Sequence, residues 1–137
     1  MTNRETRMVQ RKIKILFWIL LSMSISFPVS AEWFKIGGNV DGDTFYLDFD
    51  RIRKHNGYIY WWELTDYLRP QSGFHSTKMY VQGDCTKFRV KHLSMVFHKG
   101  PMGEGSSLDY EPPNKWEYPP PESGMEQTLQ LICNMRD

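Results

Sequence analysis

The two cysteines of this 137-residue chain, Cys85 and Cys133, constrain its fold more than any other feature. Two cysteines allow a single disulfide connectivity, and their separation of 48 residues is unlike the C-x-x-C spacing of a redox-active pair. In the chain-entropy model, a bond that closes a loop of this length stabilises a fold by roughly 4 kcal/mol. A structural disulfide is therefore predicted if the chain folds in an oxidising compartment.

The amino-terminal segment indicates such a compartment. Residues 1–31 have the parts of a cleaved secretory signal peptide: a basic start, an apolar stretch at 15–27, and small side chains before a cleavage point after Ala31. The apolar stretch is shorter than the roughly 20 residues that span a bilayer, so no membrane span is predicted after cleavage. An uncleaved anchor is the alternative, and Met8 is an alternative start. We expect one exported domain over residues 32–137.

Removal of that segment changes the charge of what remains. The full chain has 17 basic and 16 acidic residues, whereas residues 32–137 keep 12 basic and 15 acidic ones, a net charge of about −3. Nucleic-acid-binding domains carry the opposite sign, usually concentrated in a basic patch. The composition therefore argues against nucleic acid as a partner.

The first two thirds of the predicted domain have the pattern of an antiparallel sheet. Both faces of 58–62 are apolar, which indicates that something covers each face of that strand. The apolar alternation of 88–98 changes phase near Lys91 and His92, which predicts a bulge and hence a bent sheet. Strands are predicted at 33–36, 44–48, 58–64, 76–82 and 88–98, with one helical turn at 48–53.

The carboxyl-terminal part predicts one helix. Ser123 and Glu126 fit a capping box, and Met125, Leu129, Ile132 and Cys133 follow on one face of the helix. Cys133 therefore lies on the apolar stripe, where a bond to Cys85 would hold the helix against the sheet. The fold class predicted is α+β: a bent antiparallel β-sheet with a C-terminal α-helix tied to it by one disulfide.

The acidic and histidine residues do not form a recognisable metal or cofactor site. Counted from Asp41 as an EF-hand loop, the sixth position is Tyr46 and the twelfth is Ile52, where glycine and glutamate are needed. The spacing of His92 and His98 is large for joint ligation, and the other histidines are His55 and His75. We predict no metal and no cofactor.

Catalytic motifs are also lacking in the sequence. There is no Gly-x-Ser-x-Gly elbow, and the glycine-rich 100–105 segment has neither the Gly-Lys-Ser/Thr of a phosphate-binding loop nor a helix after it. Glu63 and Asp66 lie three apart in a strand, which places them on opposite faces. We therefore predict that the protein is not an enzyme and assign no catalytic residue.

The aromatic residues are the remaining functional signal. Amphipathic rings are enriched at binding hot spots, so the predicted binding surface is Tyr58, Tyr60, Trp62 and Tyr67. The alternative is that these rings fill a thin core. If one sheet face takes the helix and the other keeps its rings, a dimer or a partner surface results.

An ordered set of residues across the predicted domain matches a known family. These are Trp33, Tyr46-Leu47-Asp48, Ile52, Trp62-Glu63-Leu64, Asp66-Tyr67, Pro70, Ser76, Lys78, Asp84-Cys85, Arg89, Leu93, Gly100-Pro101-Met102-Gly103, Gly105, Trp116 and Cys133. In this set the chain resembles the surface-adhesin protein E family of Gram-negative bacteria. The resemblance implies the disulfide-tied sheet and helix, display at the cell surface, binding of host extracellular-matrix proteins and a capacity to form homodimers.

Three functions are consistent with the sequence. The first is an exported, non-enzymatic binding protein that resembles surface adhesin E. The second is a periplasmic protein of the same fold that binds a small ligand or an envelope partner, because no cysteine near the cleavage point is present for lipid attachment. The third is a small hydrolase that uses residues such as His92 or Asp48. The location is therefore the periplasm or the outer surface of a Gram-negative cell.

Overall fold

The computed structural model describes residues 3–14 and 31–135 in full and the backbone of residues 15–21. The chain divides after residue 30 into two compact units. The first contains helix α1, Asn3–Leu21. Neither this helix nor any other in the described part of the chain is long and apolar enough to cross a membrane. The apolar stretch predicted at 15–27 continues past α1 into residues 22–30, which lie outside the described residues and lead up to the predicted cleavage point after Ala31.

The second unit is built on an antiparallel sheet. Within residues 31–135 it has seven strands in the order β1-β2-β4-β5-β6-β7, and β3 pairs with β4 beside this path. The strands are β1 (Phe34–Gly38), β2 (Thr44–Leu47), β3 (Arg53–His55), β4 (Tyr58–Gln71), β5 (Phe74–Asp84), β6 (Arg89–His98) and β7 (Ser107–Tyr110). A 3₁₀ turn over Phe49–Arg51 lies where one helical turn is predicted.

The sheet has two chemically different faces, because strand residues alternate and directly paired residues share a face. The helix face carries the buried core side chains of the sheet, Leu47, Ile59, Trp61, Val81 and Val90. The aromatic face is defined by Tyr58, Tyr60 and Trp62 of β4 and Tyr80 of β5.

A bulge in β6 occurs close to the predicted position. Tyr80 of β5 pairs with Ser94, and the next residue, Val81, pairs with His92, so Leu93 is the extra residue. Such a bulge changes the phase of a strand. Lys91 therefore lies on the aromatic face beside Gln82, and Met95 lies on the helix face. Without the bulge, their even spacing of four residues would place both on the same face.

Helix α2 (Gly124–Asn134) packs on the helix face. Leu129 and Ile132 are buried in the core with Trp61 and Val81, and Met125 and Cys133 pack against the same cluster. Because Gly83 has no side chain, the ring of Trp61 and the side chain of Leu129 approach its Cα closely. The apolar stripe predicted from the sequence is therefore the surface that α2 buries.

The two ends of α2 are fixed by side chains. Cys85 and Cys133 form the predicted disulfide, with Cα atoms 5.6 Å apart. At the start of the helix, Ser123 Oγ accepts a hydrogen bond from the Glu126 N–H at 3.2 Å, as the capping box predicts. The carboxylate of Glu126 accepts instead from the Glu122 N–H at 2.7 Å, because the Ser123 N–H already donates to the Pro120 carbonyl. The predicted α+β fold class, with the helix tied to the sheet, is confirmed.

Candidate binding surface

Three of the predicted site residues lie together on the aromatic face. Tyr58, Tyr60 and Trp62 alternate along β4 and are all half-buried. Tyr80 joins them from the neighbouring strand, because it pairs directly with Trp62. Its ring centroid lies 5.0 Å from that of Trp62 and 6.2 Å from that of Tyr60, with interplanar angles of 25° and 30°.

This stacking determines which parts of the rings a ligand can contact. Side chains on one sheet face stand roughly perpendicular to the sheet. Because Tyr80 stacks against both Trp62 and Tyr60, part of each ring face is covered by a neighbour, and rings that stand perpendicular to the sheet direct their edges away from it. The edge of an aromatic ring carries partial positive charge and its face partial negative charge. The floor of the site is therefore an edge-on cluster of rings and not an open stacking platform.

Trp116 covers one end of the aromatic face. The segment that carries it is held against β6 by two backbone hydrogen bonds, from the Val90 N–H to the Glu117 carbonyl at 2.9 Å and from the Glu117 N–H to the Val90 carbonyl at 2.8 Å. The ring lies 5.5 Å from that of Tyr58. Arg89 and Lys91 lie over the Trp116 ring at 4.4 and 4.7 Å from its centroid. Trp116 thus brings together an aromatic contact and two cation–π contacts.

The loop 100–105 covers the opposite end. The Met102 N–H donates to the Asp66 carboxylate at 2.6 Å, and the Gly103 N–H donates to Ser76 Oγ at 2.8 Å. Gly103 has a φ of +73°, and a Cβ at this position would overlap with the Lys78 side chain. The positive φ favours glycine at this position, and a larger residue would also displace the end of the Lys78 side chain. The loop and Trp116 leave Tyr60, Trp62 and Tyr80 between them.

Basic side chains flank the rings. Arg53, Tyr60, Gln82 and Lys91 form one row across four strands, because each pairs directly with the next. The Gln82 amide donates to the Tyr60 hydroxyl at 3.1 Å. With strands about 4.8 Å apart, the two basic residues are separated by about 14 Å across the row. The centre of the face is therefore polar as well as aromatic.

Arg89 differs from these two basic residues because its charge is compensated. Its Nε donates to the Asp84 carboxylate at 3.0 Å. Burial alone would raise the pKa of Asp84, but the Lys87 N–H, Arg89 and the Thr86 N–H together hold that pKa below its usual 3.8. The pair therefore stays ionised at neutral pH and fixes the tight turn between β5 and β6.

The remaining predicted site residue, Tyr67, lies apart from the other three. Its hydroxyl is 2.8 Å from Thr77 Oγ1, and Thr77 is a buried residue of the helix face. The parity of the strand accounts for this, since Tyr67 is an odd number of residues from Tyr58. Counting parity in the sequence separates Tyr67 from the other three, whereas Tyr80 joins them only through the register of β4 with β5.

The residues considered for hydrolysis are not arranged as a catalytic site. Asp48 is 1% exposed and forms an ion pair with Arg51 at 3.4 Å. His92 lies on β6 beside Glu117, with 3.8 Å between its Nδ1 and the carboxylate. Burial lowers the pKa of His92, against the opposing effect of Glu117, so the ring is neutral at neutral pH. Within residues 31–135, Asp48 and His92 each pair with a different residue and not with each other.

The acidic residues of the first hairpin support a turn. Asp43 Oδ1 accepts from the Leu68 N–H at 3.0 Å and its Oδ2 from the Asn39 amide at 3.1 Å. Asn39 Oδ1 in turn accepts from the Asp41 and Asp43 N–H groups. Among the described residues, no group of three His, Cys, Asp or Glu side chains is placed to hold a metal ion.

Comparison with known proteins assigns the chain to a family. The sequence profile described as Surface-adhesin protein E matches residues 33–134. The chain belongs to the surface-adhesin protein E family. This match includes every residue of the aromatic face, and the resemblance noted in the sequence is confirmed. No curated protein sequence matches the chain.

Solved structures of Haemophilus influenzae protein E share the fold of this family member. One is 18% identical, with a TM-score of 0.54, and the match covers 82% of this chain and 95% of that one. A second crystal form is 16% identical, with a TM-score of 0.53, over 81% and 97% of the two chains. Protein E from non-typeable Haemophilus influenzae is 17% identical, with a TM-score of 0.51, and the match covers 80% of this chain and 82% of that one.

Membership of the surface-adhesin protein E family indicates the general role of the chain. The family name describes surface adhesins, which indicates an exported protein whose function is to bind other molecules at the cell surface. It also favours a non-enzymatic role. At 16–18% identity, the solved structures establish the common fold and leave the ligand to be argued from the side chains of this chain.

Proposed function

We propose that this protein is an exported, non-enzymatic adhesin that contacts host extracellular-matrix proteins through its aromatic face. The observation that carries the proposal is the cluster of Tyr60, Trp62 and Tyr80, which stays half-buried between Trp116 and the 100–105 loop. Aromatic side chains with a polar end are enriched among residues that dominate binding energy. Family membership supports adhesion as the purpose of such a surface.

The helix face is the less suitable alternative for binding. Its centre is occupied by α2, which buries Leu129 and Ile132 against the sheet and is held there by the disulfide. Within residues 31–135, no comparable element lies over the centre of the aromatic face. A partner can therefore reach Tyr60, Trp62 and Tyr80 without unfolding any part of the domain.

Location is the first point to test. Protease treatment of intact cells, with a known periplasmic protein as a control, distinguishes the adhesin from its periplasmic alternative. We expect this chain to be digested while the periplasmic control survives. Protection of both proteins would contradict surface display and support a periplasmic protein that binds a small ligand or an envelope partner.

Binding to immobilised extracellular-matrix proteins is the second test. The variants Tyr60→Ala and Tyr80→Ala each remove one stacked ring, and we expect each to weaken binding by roughly tenfold, the loss of about 1.4 kcal/mol of contact free energy. Tyr110→Ala is the matched control, because Tyr110 is 48% exposed and pairs with Met95 on the helix face. Thermal unfolding of each variant establishes that the fold is retained. Equal binding by all four proteins would contradict the assignment of this face.

The same material tests for a homodimer. The aromatic face is one surface through which two copies could associate, and such an interface usually buries at least about 1,000 Å² in total. Sedimentation of the protein and of the Tyr80→Ala variant shows whether the protein is a dimer and whether the dimer depends on this face. A dimer that dissociates on this substitution would assign the face to self-association and not to the matrix.

A further inference from the structure

The aromatic face concentrates positive charge although the predicted mature domain is acidic overall. Arg53 and Lys91 stand at the two ends of the row that contains Tyr60 and Gln82. Arg53 Nη1 donates to the Asp50 and Ile52 carbonyls, which are neutral acceptors, and Lys91 lies over the neutral ring of Trp116. Within residues 31–135, neither residue forms an ion pair with a carboxylate.

The acidic side chains nearest this row are already engaged. Asp109 shares the face, because it pairs with Val96, but it lies away from the row on the edge strand β7. Asp84 is 6% exposed and paired with Arg89, and Asp66 accepts the Met102 N–H beneath the loop. Asp48, after β2, is buried against Arg51. The groups that meet a ligand at the centre of the face are therefore cations, ring edges, a phenol and an amide.

The orientation of the rings favours the same kind of ligand. The edges of Tyr60, Trp62 and Tyr80 carry partial positive charge, so they add to the attraction that Arg53 and Lys91 exert on an anion. The Tyr60 hydroxyl accepts from Gln82 and so keeps its own proton to donate. A flat anionic chain rich in hydroxyl groups would be bound by charge at two points and by hydrogen bonds between them.

We propose that the aromatic face binds an acidic polysaccharide, with sulfate or carboxylate groups paired to Arg53 and Lys91 and sugar hydroxyls bonded to Tyr60 and Gln82. This inference rests on the proposed function, since it names the chemical class that the adhesive face would recognise on a cell or matrix surface. The separation of about 14 Å between the two cations requires a polymer with at least two anionic groups.

Two other classes of polymer fit the face less well. Single-stranded nucleic acid stacks its bases on exposed ring faces, and here a neighbouring ring covers part of each ring face. An acidic peptide usually binds along the edge of a sheet or anchors a side chain in a pocket, whereas Tyr60 and Gln82 lie on central strands with hydrogen-bonded neighbours on both sides. The polysaccharide is therefore the occupant that the observations favour.

The test uses the exported, oxidised protein and four immobilised polymers: dextran sulfate, neutral dextran of the same length, polyglutamate and oligo(dT). We expect binding to dextran sulfate that weakens as salt is raised, and none to neutral dextran. The double variant Arg53→Gln/Lys91→Gln should weaken dextran sulfate binding at least tenfold, because each cation makes a charge-assisted contact. A single cooperative thermal transition should establish that this variant keeps its fold, although it loses the Arg53 hydrogen bonds to two carbonyls and the Lys91 contact with Trp116.

A charge-matched variant controls for the overall change in net charge. Arg69→Gln/Lys99→Gln also removes two positive charges, but Arg69 lies near the far end of β4 and Lys99 over the Phe74 ring. We expect it to bind dextran sulfate within about threefold of the unchanged protein, because screening leaves only a weak long-range effect. Equal losses in the two double variants would overturn the proposed site.

The remaining outcomes separate this inference from the proposed function. Polyglutamate or oligo(dT) bound as tightly as dextran sulfate would overturn the polysaccharide and assign the face to an acidic protein or to nucleic acid. Failure to bind dextran sulfate, with matrix binding that still depends on Tyr60 and Tyr80, would overturn this inference and leave the adhesin intact. Loss of both kinds of binding would remove the proposed function as well.

Discussion

At the scale of single residues, Glu63 is an ionisable side chain in a buried environment. It lies on the helix face next to Trp61, whose indole N–H donates to its carboxylate at 3.0 Å. Burial raises the pKa of Glu63 from 4.5 to about 7, and the Trp61 hydrogen bond opposes that change only in part. The folded protein therefore binds a proton that the unfolded chain releases between about pH 4.5 and 7.

The contribution of Glu63 to the stability of the fold decreases as the pH rises. Because the folded-state pKa is the higher one, the contribution of Glu63 to stability is complete below pH 4.5 and is lost as the pH rises through about 7. Glu63→Gln keeps the acceptor for Trp61 and removes the titration. We expect the variant to be more stable than the unchanged protein by about 1–3 kcal/mol at pH 8 and nearly equal to it at pH 4.5. Urea unfolding at both pH values measures this, and Glu111→Gln, at an exposed position, is the control.

The lack of a side chain at Gly83 leaves room for Trp61 and Leu129. A Cβ on Gly83 would lie 2.6 Å from the Trp61 ring and 3.1 Å from Leu129. Gly83→Ala should therefore destabilise the fold by about 1–3 kcal/mol through overpacking. The cost should fall in a Trp61→Phe background, because phenylalanine lacks the ring atoms in contact. A thermal unfolding cycle of the four proteins checks this, and an unchanged cost would contradict the contact.

At the scale of elements, α2 depends on its covalent tie to the sheet. The disulfide joins Cys133 on the helix to Cys85 after β5, so the unfolded chain retains a closed loop of 48 residues. The double variant Cys85→Ser/Cys133→Ser should lose about 2–4 kcal/mol of unfolding free energy. Reductant should lower the melting temperature of the unchanged protein and leave that of the double variant unaltered. Melting that is indifferent to reductant in both proteins would contradict a stabilising role.

The elements also differ in how far the sequence predicts them. Alternation and capping predict the core strands and α2 because a half-buried strand and an amphipathic helix repeat their apolar residues at fixed intervals. The strand β4 continues to Gln71, beyond the predicted end at Leu64. The apolar pattern does not predict this continuation because Thr65 and Asp66 are polar, although the fold covers both side chains. The strand β7 has four exposed residues, and so short an edge strand gives too weak a pattern to predict.

At the scale of the whole molecule, the proposed binding face is less predictable than the fold. Strand parity places Tyr58, Tyr60 and Trp62 together from the sequence alone. The contributions of Tyr80, Arg53 and Lys91 depend on which residues pair across strands, and register is set by turns and a bulge rather than by any local signal. Trp116 joins them through a backbone contact with β6 that spans 27 residues of sequence.

The maturation of the molecule gives a prediction at the same scale. We expect the exported protein to begin at Glu32, because the signal-peptide pattern places the cleavage point after Ala31. Intact-mass measurement should give the mass of residues 32–137 less two hydrogen atoms for the disulfide. A mass that includes the first 31 residues would support the uncleaved anchor instead.

The bulge at Leu93 has a consequence for how proteins of this kind can vary. If Leu93 were deleted, His92 and Ser94 would become neighbours and would keep their partners Val81 and Tyr80, so no side chain would exchange faces. Only the local twist that a bulge adds would be lost. Strand length can thus change by one residue at this point without moving any residue of the proposed binding face to the other side of the sheet. At this point of the strand, the curvature of the sheet can therefore change while the same side chains stay on the same face.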